Sequence, residues 1–218
     1  MSALAGTFSA LGEPVVDAPI LAAAPEGPPV LASTSTLPNG GFRLELPDPP
    51  GRVLLLAKAR GAALGLATRS VDRDSPAPIE LALEDHAPLH RLTVLADGDV
   101  PAELLLKLTP RRVAGIDEVA LGLMYAPVDG VSESMLGVYP LGDTRRAEMH
   151  VQEGRWLLYA AHESAPDARG FGTRHLSWEV ERATLATGEE LERGVVGHEL
   201  EVSGPTTVTL AIRVHELP

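Results

Sequence analysis

The sequence predicts an all-β chain of two tandem antiparallel β-sandwiches. Three observations predict it. Nineteen prolines and 21 glycines are spread through 218 residues and cut the chain into many short elements, the punctuation of strands and turns. Apolar residues recur at period 2 or in short unbroken runs, with no heptad run and no apolar stretch of membrane-spanning length. One turn–strand–turn–strand pattern occurs twice, and at this length a repeat favours two domains over one.

The repeat centres on Thr36-Leu-Pro-Asn-Gly-Gly-Phe-Arg-Leu-Glu-Leu-Pro47 and Gly51-Arg-Val-Leu-Leu-Leu-Ala57. Asn39-Gly40 is a turn signal. Phe42, Leu44 and Leu46 alternate with Arg43 and Glu45, as in a half-buried strand. Val53 to Ala57 is unbroken and apolar, as in a strand buried on both faces. At an offset of 103, Arg43-Leu-Glu-Leu46 becomes Arg146-Ala-Glu-Met149 and Gly51 to Ala57 becomes Gly154-Arg-Trp-Leu-Leu-Tyr-Ala160. Glu13-Pro14-Val15 matches Val100-Pro101-Ala102 at offset 87, and Ile79 to Leu83 matches Val208 to Ile212 at offset 129. The second copy is therefore the first with two insertions, near residues 110–135 and 165–200.

The elements follow in order. Thr7 to Leu11 reads as a strand and Gly12-Glu-Pro14 as its turn. Val15 to Ala24 reads as a strand that Pro19 confines to an edge or a bulge. Pro25 to Pro29 is a loop, and Val30 to Thr36 a polar edge strand. After the central pattern, Ala62 to Ser70 and Ile79 to Leu83 complete about seven strands, enough for one sandwich. Glu84-Asp-His-Ala-Pro88 is a polar joint between residues 1–84 and 89–218. Beyond it, Leu89–Leu95, Ala102–Leu108, Val119–Tyr125, Leu136–Leu141, Arg146–Val151, Arg155–Ala161, His175–Ala183 and Thr206–Val214 read as strands. Gly188 to Gly194 reads as a loop, being short and bounded by glycines.

A Gly-x-Pro turn, an Ala-rich strand, Thr-x-Pro-Asn-Gly-x-Phe-x-Leu-x-Leu-Pro and an apolar strand ending in Ala-x-x-Gly61 resemble the carboxypeptidase regulatory-like domain, over residues 5–84. This is the transthyretin-like, immunoglobulin-like sandwich also found in collagen-binding B-type repeats; residues 89–218 hold a weaker, divergent copy. The resemblance implies a seven-stranded sandwich and a non-catalytic appendage, and it implies no ligand. The chain departs from the pattern at Pro49-Pro50-Gly51, where Gly-x-Tyr is common. Lys58 lies in an apolar strand without an identifiable partner for an internal isopeptide bond.

The net charge of −12, divided as −4 over residues 1–85 and −8 over residues 86–218, argues against nucleic acid, whose phosphates it repels. Cysteine is absent, which excludes disulfides, thiolate metal sites and a cysteine nucleophile. The N-terminus has no basic region and no apolar core of a signal peptide, so the chain as given is expected in the cytoplasm, or outside the cell if a leader was removed. No membrane segment is expected.

All seven histidines lie in residues 86–218. His175 and Glu179 share a face on a strand, and His198 is a third possible metal ligand, yet no His-x-His or His-Glu-x-x-His spacing accompanies them. Asp72-Arg-Asp74 and Asp97-Gly-Asp99 are too sparse for calcium. Ser132 and Ser134 have no identifiable base, and no Gly-x-Ser-x-Gly occurs. No catalytic residue, metal or cofactor is expected. The later insertion brings together Phe171, Arg174, His175 and Trp178, residue types that dominate interface energetics; with Tyr159 they are the expected ligand-binding residues.

The function expected is a non-catalytic binding or structural module, with its recognition surface on the second domain and a protein partner or larger assembly. One alternative is a hydrolase or cyclase with a pocket lined by Tyr125, Tyr139, Tyr159, His175 and Trp178. Another is a carbohydrate-binding module using Trp156 and Trp178 as platforms. A small molecule or carbohydrate is thus a possible partner.

Overall fold

The computed structural model describes residues 2–47, 51–72, 77–102, 104–125, 137–162, 176–195 and 197–216. The first half forms β1 (Ser2–Ala10), β2 (Glu13–Pro14), β3 (Pro19–Ala24), β4 (Gly27–Ser35), β5 (Gly41–Leu46), β6 (Arg52–Ala59), β7 (Ala63–Asp72) and β8 (Ile79–Ala82), closed by a 3-10 turn at Leu83–Asp85. One sheet is built on β1, which pairs antiparallel with β5 and β2 and parallel with β8. The facing sheet runs β7-β6-β3-β4, all antiparallel. Pro19 opens β3, where it removes no central ladder bond, and β4 lies at the edge, as its polar sequence requires.

Each residue of the repeated pattern has a physical task. Gly40 has φ +74, and a Cβ there would lie 2.7 Å from the Phe8 carbonyl oxygen, so only glycine fits the turn. Asn39 Oδ1 accepts from the Gly41 amide at 3.0 Å. Thr36 is buried: its Oγ1 accepts from Ala18 N at 2.8 Å and donates to Val15 O at 2.6 Å, which fixes the loop entering β3. Phe42, Leu44 and Leu46 are buried and Arg43 and Glu45 exposed, as the alternation requires.

The second half forms β9 (Leu89–Gly98), β10 (Leu104–Val113), α1 (Glu118–Met124), β11 (Gly137–Pro140), β12 (Arg146–Gln152), β13 (Gly154–His162), β14 (Leu176–Leu185), β15 (His198–Val202) and β16 (Thr206–Glu216). Its wiring repeats that of the first half. β9 pairs antiparallel with β12 and parallel with β16, as β1 does with β5 and β8. The other sheet runs β11-β10-β13-β15, as β4-β3-β6-β7 does. The strands that match by sequence are therefore the strands that match by position: β5 with β12, β6 with β13, β8 with β16. The chain is two tandem β-sandwiches, antiparallel except at these parallel closing strands and at one parallel contact between the halves. Among the described residues β14 has no counterpart in the first half; it extends the β16 edge.

The two sandwiches share one sheet. β12 pairs parallel with β7 at His150↔Ala63 and Val151↔Leu64, giving the order β14-β16-β9-β12-β7-β6-β3-β4. Where that pairing stops, the buried side chain of Gln152 continues it. Its Oε1 accepts from Leu66 N at 2.7 Å; its Nε2 donates to Leu66 O at 3.0 Å and Leu83 O at 2.7 Å. A Cβ on Gly65 would lie 2.3 Å from that Oε1, so the glycine admits the amide. Trp156 Nε1 donates to Gln152 O at 2.9 Å and holds the strand end from the other side.

The central strands of the first half are buried on both faces. Val53, Leu55 and Ala57 face the core of the first sandwich, while Leu54 and Leu56, with Leu21, Leu64 and Leu66, join the core of the second. The outer cover includes α1, which packs on β4 and β6. This corrects the sequence expectation at Val119–Tyr125, where a strand was expected and a helix is found. Its apolar residues read as β because Val119, Leu121 and Leu123 alternate. Asp117 instead caps a helix, its Oδ1 accepting from Ala120 N at 2.7 Å, and Ala120, Leu123 and Met124 form the buried stripe. Lys58, which has no partner legible in the sequence, donates from a 2 % exposed side chain to Met124 O at 2.9 Å. A cation there meets the carbonyl end of the helix. β15 was not expected: His-Glu-Leu-Glu-Val is short and half charged, and its alternation is the only signal.

Candidate functional site

β13, β14 and β15 meet a strap of chain that spans the open side of the second sandwich. Leaving β14, the chain reverses at Leu185–Glu189, with Leu185 N bonded to Glu189 O at 2.8 Å, and lays Glu190 beside Thr184. It then crosses to the other sheet, where Arg193 bridges His198 and Glu199 N bonds to Glu192 O at 3.0 Å. A turn closed by Gly194 N to Gly197 O at 2.7 Å connects the two. The region 188–194 is loop, as the glycines indicated, though bridged at both ends. The strap occupies backbone edges that two unprotected edge strands would leave open.

Between the strap and the sheets lies a cleft of about 220 Å³, lined among others by Tyr159, Glu179, Arg193, Val195 and His198. Tyr159 is half-buried and Val195 fully exposed at the turn. Arg193 Nη2 lies 3.5 Å from Glu179 Oε2, with both side chains substantially exposed. His198 is 4 % exposed and its Nδ1 is buried without a hydrogen-bond partner. Burial, and then the charge of Arg193, hold its pKa below the ordinary histidine value; Glu190 acts in the opposite direction. The imidazole is therefore neutral at neutral pH.

Of the expected ligand-binding residues, Tyr159 lines this cleft and Trp178 lies in β14. Phe171, Arg174 and His175 fall outside the described residues. Glu179 and His198, two of the three possible metal ligands, share the cleft; among the described residues no three His, Asp or Glu converge. Sequence reasoning missed Arg193, because a single Arg in a Glu-rich loop reads as solvated surface.

The tyrosine pocket of the enzyme alternative does not form among the described residues. Tyr139 pairs with Leu106 and Tyr159 with Lys107, so neighbours on β10 send the two rings to opposite faces. Tyr139 donates to Gly61 O in the β6–β7 turn, and burial raises its pKa. Tyr125 donates to Pro110 O at 2.9 Å; burial raises its pKa against the opposing influence of Arg111. Both phenols donate to backbone carbonyls. Trp156 is no platform either: it is fully buried, because it faces the sandwich interior from β13.

Fold and site together describe a tandem β-sandwich protein with a polar cleft at an edge of the second sandwich. No family model matches the chain, and no curated protein matches it. Solved structures similar to it include the shaft pilin SpaA from Lactobacillus rhamnosus GG (11% identity over 100% of this chain and 99% of that one, TM-score 0.34). The minor pilin GBS52 of Streptococcus agalactiae gives 12% identity over 100% and 97%, TM-score 0.36, and the major pilin from Streptococcus pyogenes 9% over 99% and 98%, TM-score 0.31. At these scores the likeness adds nothing to the argument, and the fold stands on the strand pairings. Among the described residues no helix is long and apolar enough to cross a membrane.

Proposed function

We propose that this chain is a non-catalytic structural module that carries load between its two ends within a larger assembly. The observation that carries this reading is the parallel pairing of first and last strands in both sandwiches: four residue pairs between β1 and β8, seven between β9 and β16. Adjacent parallel strands pulled at their opposite ends load all their hydrogen bonds together, in shear. An antiparallel pair pulled at one end opens bond by bond. β1 runs toward the joint, where Leu11 N is bonded to Glu84, and β16 runs away from it beside β9. Tension between the chain ends therefore shears both pairs. The shared sheet and the Gln152 lock supply the stiff connection such a role needs.

The finer reading is that residues 1–84 form a carboxypeptidase regulatory-like sandwich and residues 89–218 its enlarged copy, with insertions near 110–135 and 165–200. The matched strand order and the turn built by Thr36, Asn39 and Gly40 support it.

The test is single-molecule pulling. The chain has no cysteine, so introduced thiols define the attachment points. Pulling from the two ends is expected to need a clearly higher force than pulling through Asp97→Cys and Arg146→Cys, which peels β12 from β9. Equal forces refute the load-bearing role.

A further inference from the structure

We infer that the free edge of β4 pairs antiparallel with β4 of a second copy of this chain, joining two eight-stranded sheets about a two-fold axis. This contact goes beyond the load-bearing role and is tested separately from it.

The backbone comes first. β4 ends the shared sheet, and among the described residues it pairs only with β3. Thr36 N donates to Ala18 O at 3.0 Å, and Thr36 O accepts from Asp17 N at 3.2 Å, so both groups face the β3 side. Backbone groups alternate along a strand, so those of Ser35 and Ser33 face outward. Both side chains are exposed. The β3 pairing skips Leu31, and Pro29 has no N–H, so the regular edge ends there. The faces of β4 are already engaged: α1 packs on it, and Val30, Leu31 and Ala32 pack against the two cores. What the strand offers is its edge.

The guards on the other edges come next. An unpaired strand edge invites another strand, and proteins protect it with charge, proline, shortness or a covering segment. The other terminal strands have such protection. β5 exposes Arg43 and Glu45. β8 has four residues, with Glu80 exposed, and β11 has four and ends at Pro140. β2 has two. The strap bridges β14 at Thr184 and β15 at His198. β4 has nine residues and no charge.

Charge selects a second copy as the occupant. The chain carries −12, so two copies repel wherever their acidic surfaces meet. Residues 27–42 hold no Asp, Glu, Lys or Arg, the longest such run in the sequence, and β4 lies within it. Two copies meet there without opposing charges. Antiparallel pairing centred near Thr34 sets Ser33 opposite Ser35 of the second copy, and the reverse, for about four backbone hydrogen bonds. The same residues serve both sides, so the pair closes on itself. A contact this short is small beside a standard interface, so the dissociation constant expected is micromolar or weaker.

The experiment is sedimentation equilibrium of the full-length protein from ~1 µM to ~1 mM, at ~20 mM and ~300 mM salt. The expected result is a mass that rises from one chain toward two and no further. Association is expected to be tighter at the higher salt, because screening removes repulsion and the ladder holds no ion pair. Ser33→Pro removes an outward N–H and leaves the β3 ladder intact; it is expected to weaken association at least about tenfold. Ser33→Glu with Ser35→Glu, and Ser33→Arg with Ser35→Arg, each set like charges against like. Each of these double variants alone is expected to be monomeric, and their equimolar mixture to associate. Amide spectra check the fold of every variant, and the charged pair decides the matter where proline disturbs β4. The inference is overturned if the chain stays monomeric throughout that range, or if the mass grows beyond two chains, as pairing of β4 with β14 gives. It is overturned equally if salt weakens the association, if Ser33→Pro associates as the parent does, or if the mixture stays monomeric.

Discussion

Replacing Gln152 by Met is the sharpest test of how the sandwiches are joined. Methionine nearly conserves the volume and removes all three side-chain hydrogen bonds. The losses fall on groups that stay buried: the amide and carbonyl of Leu66 and the carbonyl of Leu83. An unsatisfied buried group is destabilising by about 1–3 kcal/mol. The Leu66 N–H has no second acceptor to turn to, whereas carbonyls tolerate under-satisfaction better. The amide therefore loses near the upper end and the two carbonyls near the lower, about 3–5 kcal/mol in all. That is a large part of the 5–15 kcal/mol typical of a folded domain. Urea denaturation read by tryptophan fluorescence gives the free energy, and hydrogen exchange at the Leu66 amide gives the location. A loss below about 1 kcal/mol, with Leu66 still protected, refutes the argument that this amide continues the β12–β7 pairing.

Four further outcomes are expected. Phe42→Ala removes a 4 % exposed ring from the first core and is expected to be destabilising by about 3–5 kcal/mol in chemical denaturation; below 1 kcal/mol, the register is wrong. Residues 1–84 expressed alone expose Leu21, Leu54, Leu56, Leu64 and Leu66, each worth about 1.5–3 kcal/mol when buried. Amide spectra of fragments 1–84 and 89–218 are therefore expected to be dispersed only when the two are mixed. His198 has a folded pKa lowered by burial and by Arg193, so between its folded value and an unfolded value of about 6.5 the unfolded state binds more protons. Its contribution is fully present above pH ~6.5 and lost as pH falls toward the folded value; stability is expected to fall over that window, and less in His198→Gln. Elemental analysis of the purified protein is expected to show no stoichiometric zinc, iron or copper; one ion per chain points to Glu179 and His198.

Local pattern by itself determined a good deal of this protein. Phe42, Leu44 and Leu46 alternate because one face of β5 is core and the other water. Val53 to Ala57 is unbroken because both faces of β6 are covered. The two copies of Gly-Arg-apolar sequence occupy equivalent strands because strand order and sequence order repeat together. Those signals have a range of a few residues, and they were legible.

What tertiary structure decided was every pairing between distant segments. The second cover over β6 is α1, whose helical period over seven residues is too short to outweigh an apparent alternation. Lys58 and Met124 are 66 residues apart, so the lysine's helix-end partner has no local signature. Gln152 reads as an ordinary polar strand end, yet it bonds Leu66, 86 residues away, in a position that Gly65 leaves open. The cleft has the same origin. Tyr159, Glu179, Arg193 and His198 come from three strands and a strap, and only the closure of β14 against β15 sets a lone arginine beside a glutamate and buries a histidine nitrogen without a partner.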